Sequence, residues 1–290
     1  MTEVRRKIVV GVDSSAEARQ ALAWAQGFAG PSDEIVAIHA WEPPNMAFYA
    51  PVQAPVPPVR ANDIERSAEA VLAQLVADTG DDRVVGMVRQ GRPGQTIVAE
   101  ASDADVVVVG HSGDSQISMM LGSTANYVLH NAPQPVVVVH GDASRAPRRV
   151  VVGVDDQRRS DEDENASVRA LRWAYGLNGI EEIRVLHAWS IQPFVWDFVA
   201  HVPQYLNELD EDAAAVVGRV VDAAGEPPPG VKLIEESVRD TPSHAMIDAS
   251  VDTDLVVVGS RGRGGFAGLV LGSTSQAVAA HGHVPVAVIR

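Results

Sequence analysis

Leu255-Val-Val-Val-Gly259-Ser-Arg261-Gly262-Arg263-Gly264-Gly265-Phe-Ala-Gly-Leu-Val-Leu-Gly272-Ser273-Thr274 decides how this chain is read. An apolar run rich in valine stops at a glycine, a loop of Gly and Arg follows, and Gly-Ser-Thr opens the next segment. Glycines let a backbone turn with positive φ and approach a ligand closely. Unpaired N–H groups at a helix start, aided by the helix dipole, favour an anion. Arg261 and Arg263 add charge-assisted donors. The stretch reads as a strand, a loop built for phosphate, and a helix start.

The same pattern occurs earlier. Asp105-Val-Val-Val-Val-Gly110 and Leu121-Gly122-Ser123-Thr124 match Asp254-Leu-Val-Val-Val-Gly259 and Leu271-Gly272-Ser273-Thr274. Further upstream, Lys7-Ile-Val-Val-Gly11-Val12-Asp13 returns as Arg149-Val-Val-Val-Gly153-Val154-Asp155, Trp24 as Trp173, and His39-Ala40-Trp41 as His187-Ala188-Trp189. Matches in one order over this length indicate a duplication into two domains rather than a solenoid. They are placed at residues 1–141 and 149–290, joined through a stretch ending at Arg148. Two register changes fall near the loops. Gly11 aligns with Gly153 but Trp24 with Trp173, so the second half carries about seven extra residues, in the acidic stretch 156–164. The first half reads Gly110-x2-Gly113-x8-Gly122, one residue shorter than its repeat.

Composition narrows the function. The formal charge of −15 argues against DNA or RNA as the main partner, which needs clustered Lys and Arg. Absence of cysteine excludes disulfides, thiolate zinc sites and Cys nucleophiles. No run approaches a membrane span, and the residues before Ile8 are too few for a signal segment, so a soluble, cytoplasmic protein is expected.

In the first half, strands are expected at 8–12, 34–39, 84–88, 106–109 and 136–139, and helices at 17–28, 64–79, 96–102 and 123–131. Continuous valine runs suit strands covered on both faces. Strands alternating with helices give a parallel sheet with right-handed crossovers, so the class is α/β, twice. Such sheets bind ligands beyond the carboxyl ends of their strands. Three tips converge there: Gly11-Val12-Asp13, Ala40, and Gly110 to Ser123. Their repeats are Gly153-Val154-Asp155, Ala188, and Gly259 to Ser273.

On these residues the chain resembles the universal stress protein family in its tandem actinobacterial form. The resemblance covers nearly the whole chain, and Gly259-x2-Gly262-x9-Gly272-Ser273 meets the family's Gly-x2-Gly-x9-Gly-Ser/Thr signature. It implies two doubly wound domains, each a five-stranded parallel sheet of order 3-2-1-4-5 flanked by helices. It also implies ATP binding in one branch, with Mg, and a homodimer formed through the last strands. By this resemblance Asp13 and Asp155 hold the ribose or a metal-linked phosphate, and the backbone of Ala40 and Ala188 meets the adenine. Gly259, Gly262, Gly264, Gly265, Gly272, Ser273 and Thr274 wrap the phosphates, and Arg261 and Arg263 close on them. In the first half Gly110, Ser112, Gly113, Gly122, Ser123 and Thr124 take these places. There Ser112 and Asp114 stand where the second half has Arg261 and Arg263, and a carboxylate facing phosphate is unfavourable without a metal. The second half is therefore expected to be the better ATP site.

Plainer assignments stand beside these. An Asp at a strand end can simply cap the next helix. His39 and His187 suit hydrogen-bonded core positions, and the paired Trp residues suit the core. The stretch from Pro43 to Pro58 suits an extended surface loop, a lid or a dimer contact, and Phe194 to Phe198 an interface. The loops lack the lysine of a Walker motif, since the chain's lysines are Lys7 and Lys232. Gly262-x-Gly264-x-x-Ala267 imitates a dinucleotide fingerprint but lies at the end of the chain instead of after a first strand. No catalytic constellation stands out. The expected role is a nucleotide-dependent regulator in stress or growth control, with an unidentified protein partner. The alternatives are a slow ATPase and a dimerising scaffold with decayed pockets.

Overall fold

A computed structural model describes residues 5–43, 61–112, 120–141, 145–155, 165–191, 203–260 and 271–290. The first half runs β1 (Lys7–Gly11), α1 (Ala16–Phe28), β2 (Glu34–Trp41), α2 (Ala61–Thr79), β3 (Val84–Gln90), α3 (Pro93–Glu100), β4 (Val106–Gly110), α4 (Ser123–Asn131) and β5 (Val136–Val139). The second repeats it with β6 (Arg149–Gly153), α5 (Ala166–Tyr175), β7 (Glu182–Trp189), α6 (Pro203–Ala224), β8 (Lys232–Arg239), α7 (Pro242–Ala249), β9 (Leu255–Gly259), α8 (Ser273–His281) and β10 (Val286–Ile289). Helix α3 starts earlier than the expected residue 96, because Pro93 occupies the first turn, where its missing N–H costs nothing.

The strands form one sheet of ten, in the order β3-β2-β1-β4-β5-β10-β9-β6-β7-β8. Each half has the order 3-2-1-4-5, and all pairings within a half are parallel. The halves meet where β5 and β10 pair antiparallel, with Val137 opposite Ala287. The edge that the resemblance assigned to a homodimer is thus occupied within the chain, and these strands have no free hydrogen-bonding edge for a second copy.

The valine runs serve two cores at once. Ile8, Val10, Val106 and Val108 face α1 and α2, while Val9, Val107 and Val109 face α3 and α4. The alternation follows from the two-residue period of a strand, and burying each valine is worth roughly 1.5–3 kcal/mol relative to exposure. Both cores continue through the seam into the second half. On one face Phe28 stacks between Trp24 and Trp173, with centroids 4.8 and 6.2 Å away. On the other, His111 and His140 donate through Nε2 to the Ala280 and Ala279 carbonyls at 3.0 Å, gripping the end of α8. At the position equivalent to His140, the Arg290 guanidinium donates to the Leu129 carbonyl of α4. Last-turn carbonyls want such donors because a helix cannot satisfy them itself.

Candidate functional site

In the first half the strand tips enclose a cavity of about 300 Å³, the lower end of the size range of small-molecule pockets. Gly11, Val12 and Asp13 form one wall, Ile38 and Ala40 a second, and Gly110, Ser112, Gly122, Ser123 and Thr124 a third. The structure therefore brings together every first-half candidate except Gly113, which lies outside the described residues. Ser15, Ala18, Pro93, Ile97, Val109 and Ala125 complete the wall and, like Ile38, were not among the candidates. Cues for two of them were available in the sequence: Ser15, two residues after Asp13 and before a helical pattern, and Pro93, opening a helix.

Ala40 lies inside β2, paired with Arg89, and not beyond its end. The strand tip is fixed by its neighbours. Val12 N–H donates to the Ile38 carbonyl at 2.9 Å, and the Val12 carbonyl accepts from His39 Nδ1 at 3.0 Å. A carbonyl only accepts, so Nδ1 carries the hydrogen. His187 does the same for Val154 at 2.9 Å, so both histidines have structural roles.

The glycines at the strand ends are dictated by packing as well as by any ligand. A Cβ on Gly110 would sit 3.0 Å from the Glu17 carbonyl oxygen at the start of α1, and one on Gly259 3.0 Å from Ala166 Cβ. The loop between β4 and α4 is closed at its neck. His111 N–H donates to Val139 at 3.0 Å, and Gly122 N–H donates to His111 at 2.8 Å. Ser260 and Gly272 repeat this, with Ser260 donating to Ile289 at 2.6 Å and Gly272 to Ser260 at 2.7 Å.

Helices α4 and α8 both start at a glycine N-cap with no side-chain capping bond. Glycine supplies no acceptor, so first-turn N–H groups at Ser123–Thr124 and at Ser273–Thr274 remain to be met by something else. In the first half they face the cavity. That wall carries one carboxylate, Asp13, and no Lys or Arg among the described residues. Asp13 Oδ1 accepts from Ser15 N–H at 2.9 Å and from the Ser15 hydroxyl, while the same hydroxyl caps α1 by accepting from Ala18 N–H at 3.1 Å. Asp13 thus acts through the capping residue, and the residue itself is exposed and lines the cavity.

In the second half Gly153, Val154 and Asp155 end β6, Ala188 lies in β7 paired with Val238, Gly259 ends β9, and Gly272, Ser273 and Thr274 start α8. Here the Asp155 backbone is clamped by one hydroxyl: Ser167 Oγ accepts from its N–H at 2.9 Å and donates to its carbonyl at 3.0 Å. Arg261, Gly262, Arg263, Gly264 and Gly265 lie outside the described residues, as do the acidic stretch 156–164, residues 44–60 of the Pro-rich stretch and Phe194 to Phe198. No helix among the described residues is long and apolar enough to cross a membrane.

The model of the universal stress protein family matches residues 5–140 and again 147–290. A universal stress protein of Mycolicibacterium smegmatis is 33% identical over 294 residues, covering 98% of this chain and 96% of its own. One from Mycobacterium tuberculosis is 31% identical over 300 residues with the same coverage. Among solved structures, a universal stress protein from Archaeoglobus fulgidus superposes with a TM-score of 0.62 at 20% identity, covering 98% of each chain, which shows the shared fold.

Proposed function

This chain belongs to the universal stress protein family, and from that premise we propose that it is an ATP-binding regulator whose occupancy sets its conformation or its protein partners in stress or growth control. The observation that carries this is the convergence at one cavity of Asp13, Ala40 and the uncapped start of α4. Backbone N–H groups at a helix start suit phosphate oxygens. A carboxylate across the cavity suits ribose hydroxyls or a magnesium ion bound to the phosphates.

The residues take the following roles. Gly110, Ser112, Gly113, Gly122, Ser123 and Thr124 hold phosphate in the first half; Gly259, Gly262, Gly264, Gly265, Gly272, Ser273 and Thr274 do so in the second. Gly11-Val12-Asp13 and Gly153-Val154-Asp155 meet the sugar or the metal, and the Ala40 and Ala188 backbones meet the base. With no cation on the described first wall, phosphate there depends on N–H donors and magnesium, whereas Arg261 and Arg263 make the second site the tighter one.

The test is to denature the purified protein, identify any released nucleotide and its amount per chain, and titrate the nucleotide-free chain with Mg-ATP by calorimetry. Adenine nucleotide, or a saturable heat lost on Arg261→Ala with Arg263→Ala, is the expected result. Neither released nucleotide nor heat of binding would sink the proposal and leave a scaffold acting without a ligand.

A further inference from the structure

Away from the cavity, three donor atoms converge along one side of α7. Asp240 precedes the helix, and His244 and Asp248 lie one turn apart on one of its faces. His244 Nδ1 is 2.5 Å from Asp240 Oδ2 and 3.5 Å from Asp248 Oδ2, and the three donor atoms all lie within 4.8 Å of one another. Asp240 is held in place, because its Oδ1 accepts from Thr241 N–H at 2.6 Å while Oδ2 turns to the ring. One imidazole nitrogen thus attracts two carboxylates, although a single ion pair needs only one.

The fold does not require this arrangement. Helix α3 is the equivalent of α7, and the positions equivalent to Asp240, His244 and Asp248 are Gly91, Gln95 and Ala99. The first half folds in the same way with no donor set there.

We propose that Asp240, His244 and Asp248 bind one divalent transition-metal ion of the zinc class, with one imidazole nitrogen and two carboxylate oxygens on one side of the ion and water on the other. Zinc bonds to N and O of roughly 2.0–2.2 Å place tetrahedral ligand atoms about 3.3–3.5 Å apart. The 3.5 Å separation from Asp248 Oδ2 already meets that range, and the 2.5 Å separation from Asp240 Oδ2 has to open by roughly 0.8–1 Å to reach it. His244 and Asp248 are exposed and can move to meet an ion beside the half-buried Asp240 without disturbing a core. The imidazole selects against magnesium and calcium, which prefer all-oxygen shells. A proton shared by the same three groups is the competing occupant, since the hydrogen bond to Asp240 raises the His244 pKa. The site is independent of nucleotide binding and distinct from any magnesium carried on phosphate.

The test uses the full chain, stripped with EDTA, dialysed, and titrated with zinc chloride by calorimetry at about pH 7.5 and again at about pH 8, above the range of a free imidazole, because Asp240 raises the pKa of His244 and a proton competes with the ion. One saturable ion per chain is expected. His244→Ala weakens it by at least the ~10-fold that even an outer-shell change costs, and Asp248→Asn weakens it as well. Circular dichroism confirms that both variants stay folded. His283→Ala, at the histidines beside His140, leaves the binding unchanged, and magnesium does not compete. No saturable binding by the wild-type chain, or equal binding by His244→Ala, overturns the proposal.

Discussion

Before β1, Arg6 reaches Asp33, whose side chain is 5% exposed; before β6, Arg148 reaches Glu181, with side chains 66% and 55% exposed. These are equivalent places in the two halves, and the same cation–anion contact serves two purposes. Asp33 also accepts from the backbone N–H groups of Arg6 and Gly30, at 2.9 and 2.8 Å. Burial opposes its charge, but the Arg6 side chain and those N–H groups outweigh it and hold the carboxyl below its usual range. Glu181 is an ion pair in water, a kind that contributes little. Duplication preserved the fold while allowing each anchoring contact to evolve separately, so equivalent substitutions should have unequal effects.

The largest inequality is expected at this pair. Asp33→Ala takes the carboxylate from two N–H groups and from an Arg6 guanidinium that keeps only the Phe28 carbonyl at 3.5 Å as acceptor, and should cost about 3 kcal/mol, the low end for a buried pair because Arg6 is partly exposed. Glu181→Ala should cost less than about 1 kcal/mol. Urea unfolding of the two variants measures both, and equal costs would mean that Arg6–Asp33 is as weakly coupled as a surface pair.

At the seam the comparison becomes one of acidity. His140 holds the end of α8, whereas Arg290 holds the end of α4. Burial, with a smaller contribution from His111 at a ring distance of 4.4 Å, pushes the His140 pKa from 6.5 to about 4. Burial lowers that of His111 too. Between these values the unfolded chain binds the proton that the folded chain refuses, so stability is fully present above pH 6.5 and declines as the pH falls toward about 4. For His140 alone the loss amounts to about 3 kcal/mol when the whole window is crossed. The Asp33 contribution is lost only below its ordinary pKa of 3.8, so the two windows are separate. Arg290 stays charged throughout. Urea midpoints at several pH values should fall with acidity in the wild type and flatten in His140→Asn. An unchanged pH slope in that variant would remove His140 as the cause.

Much of this frame could be read from the chain itself. The doubled valine runs and the repeated Gly-Val-Asp and Gly-Ser-Thr motifs were enough to place the strands and to gather Gly11, Asp13, Gly110, Gly122 and Ser123 at one cavity. What pairs with a last strand was not legible. Val136–Val139 and Val286–Ile289 are equally apolar runs, and periodicity does not tell a second copy from the other half. Nor was the double role of Gly110, which reads as a ligand contact until α1 is seen packed against it. The grip of His111 and His140 on α8 joins residues more than a hundred positions apart, so no local pattern announces it.

The smallest effect, and the one with opposite signs, lies at the helix caps beside the candidate site. Ser15 caps α1 and also donates to Asp13; Asn165 caps α5 by accepting from Ser167 N–H at 2.8 Å. Asp is as good an N-cap as Ser or Asn, and a carboxylate suits the positive end of a helix. Asn165→Asp should therefore be neutral or stabilising, within about 0.5 kcal/mol. Ser15→Asp makes the same cap but sets a second carboxylate against Asp13 Oδ1 and removes the hydroxyl that Oδ1 accepts from, so it should cost about 1 kcal/mol. Added magnesium separates the causes: if the cost arises from two facing carboxylates, the ion should recover part of it in Ser15→Asp and do nothing for Asn165→Asp. A loss of equal size in both variants would place the cost in the caps themselves and leave Asp13 no different from an ordinary strand-end aspartate.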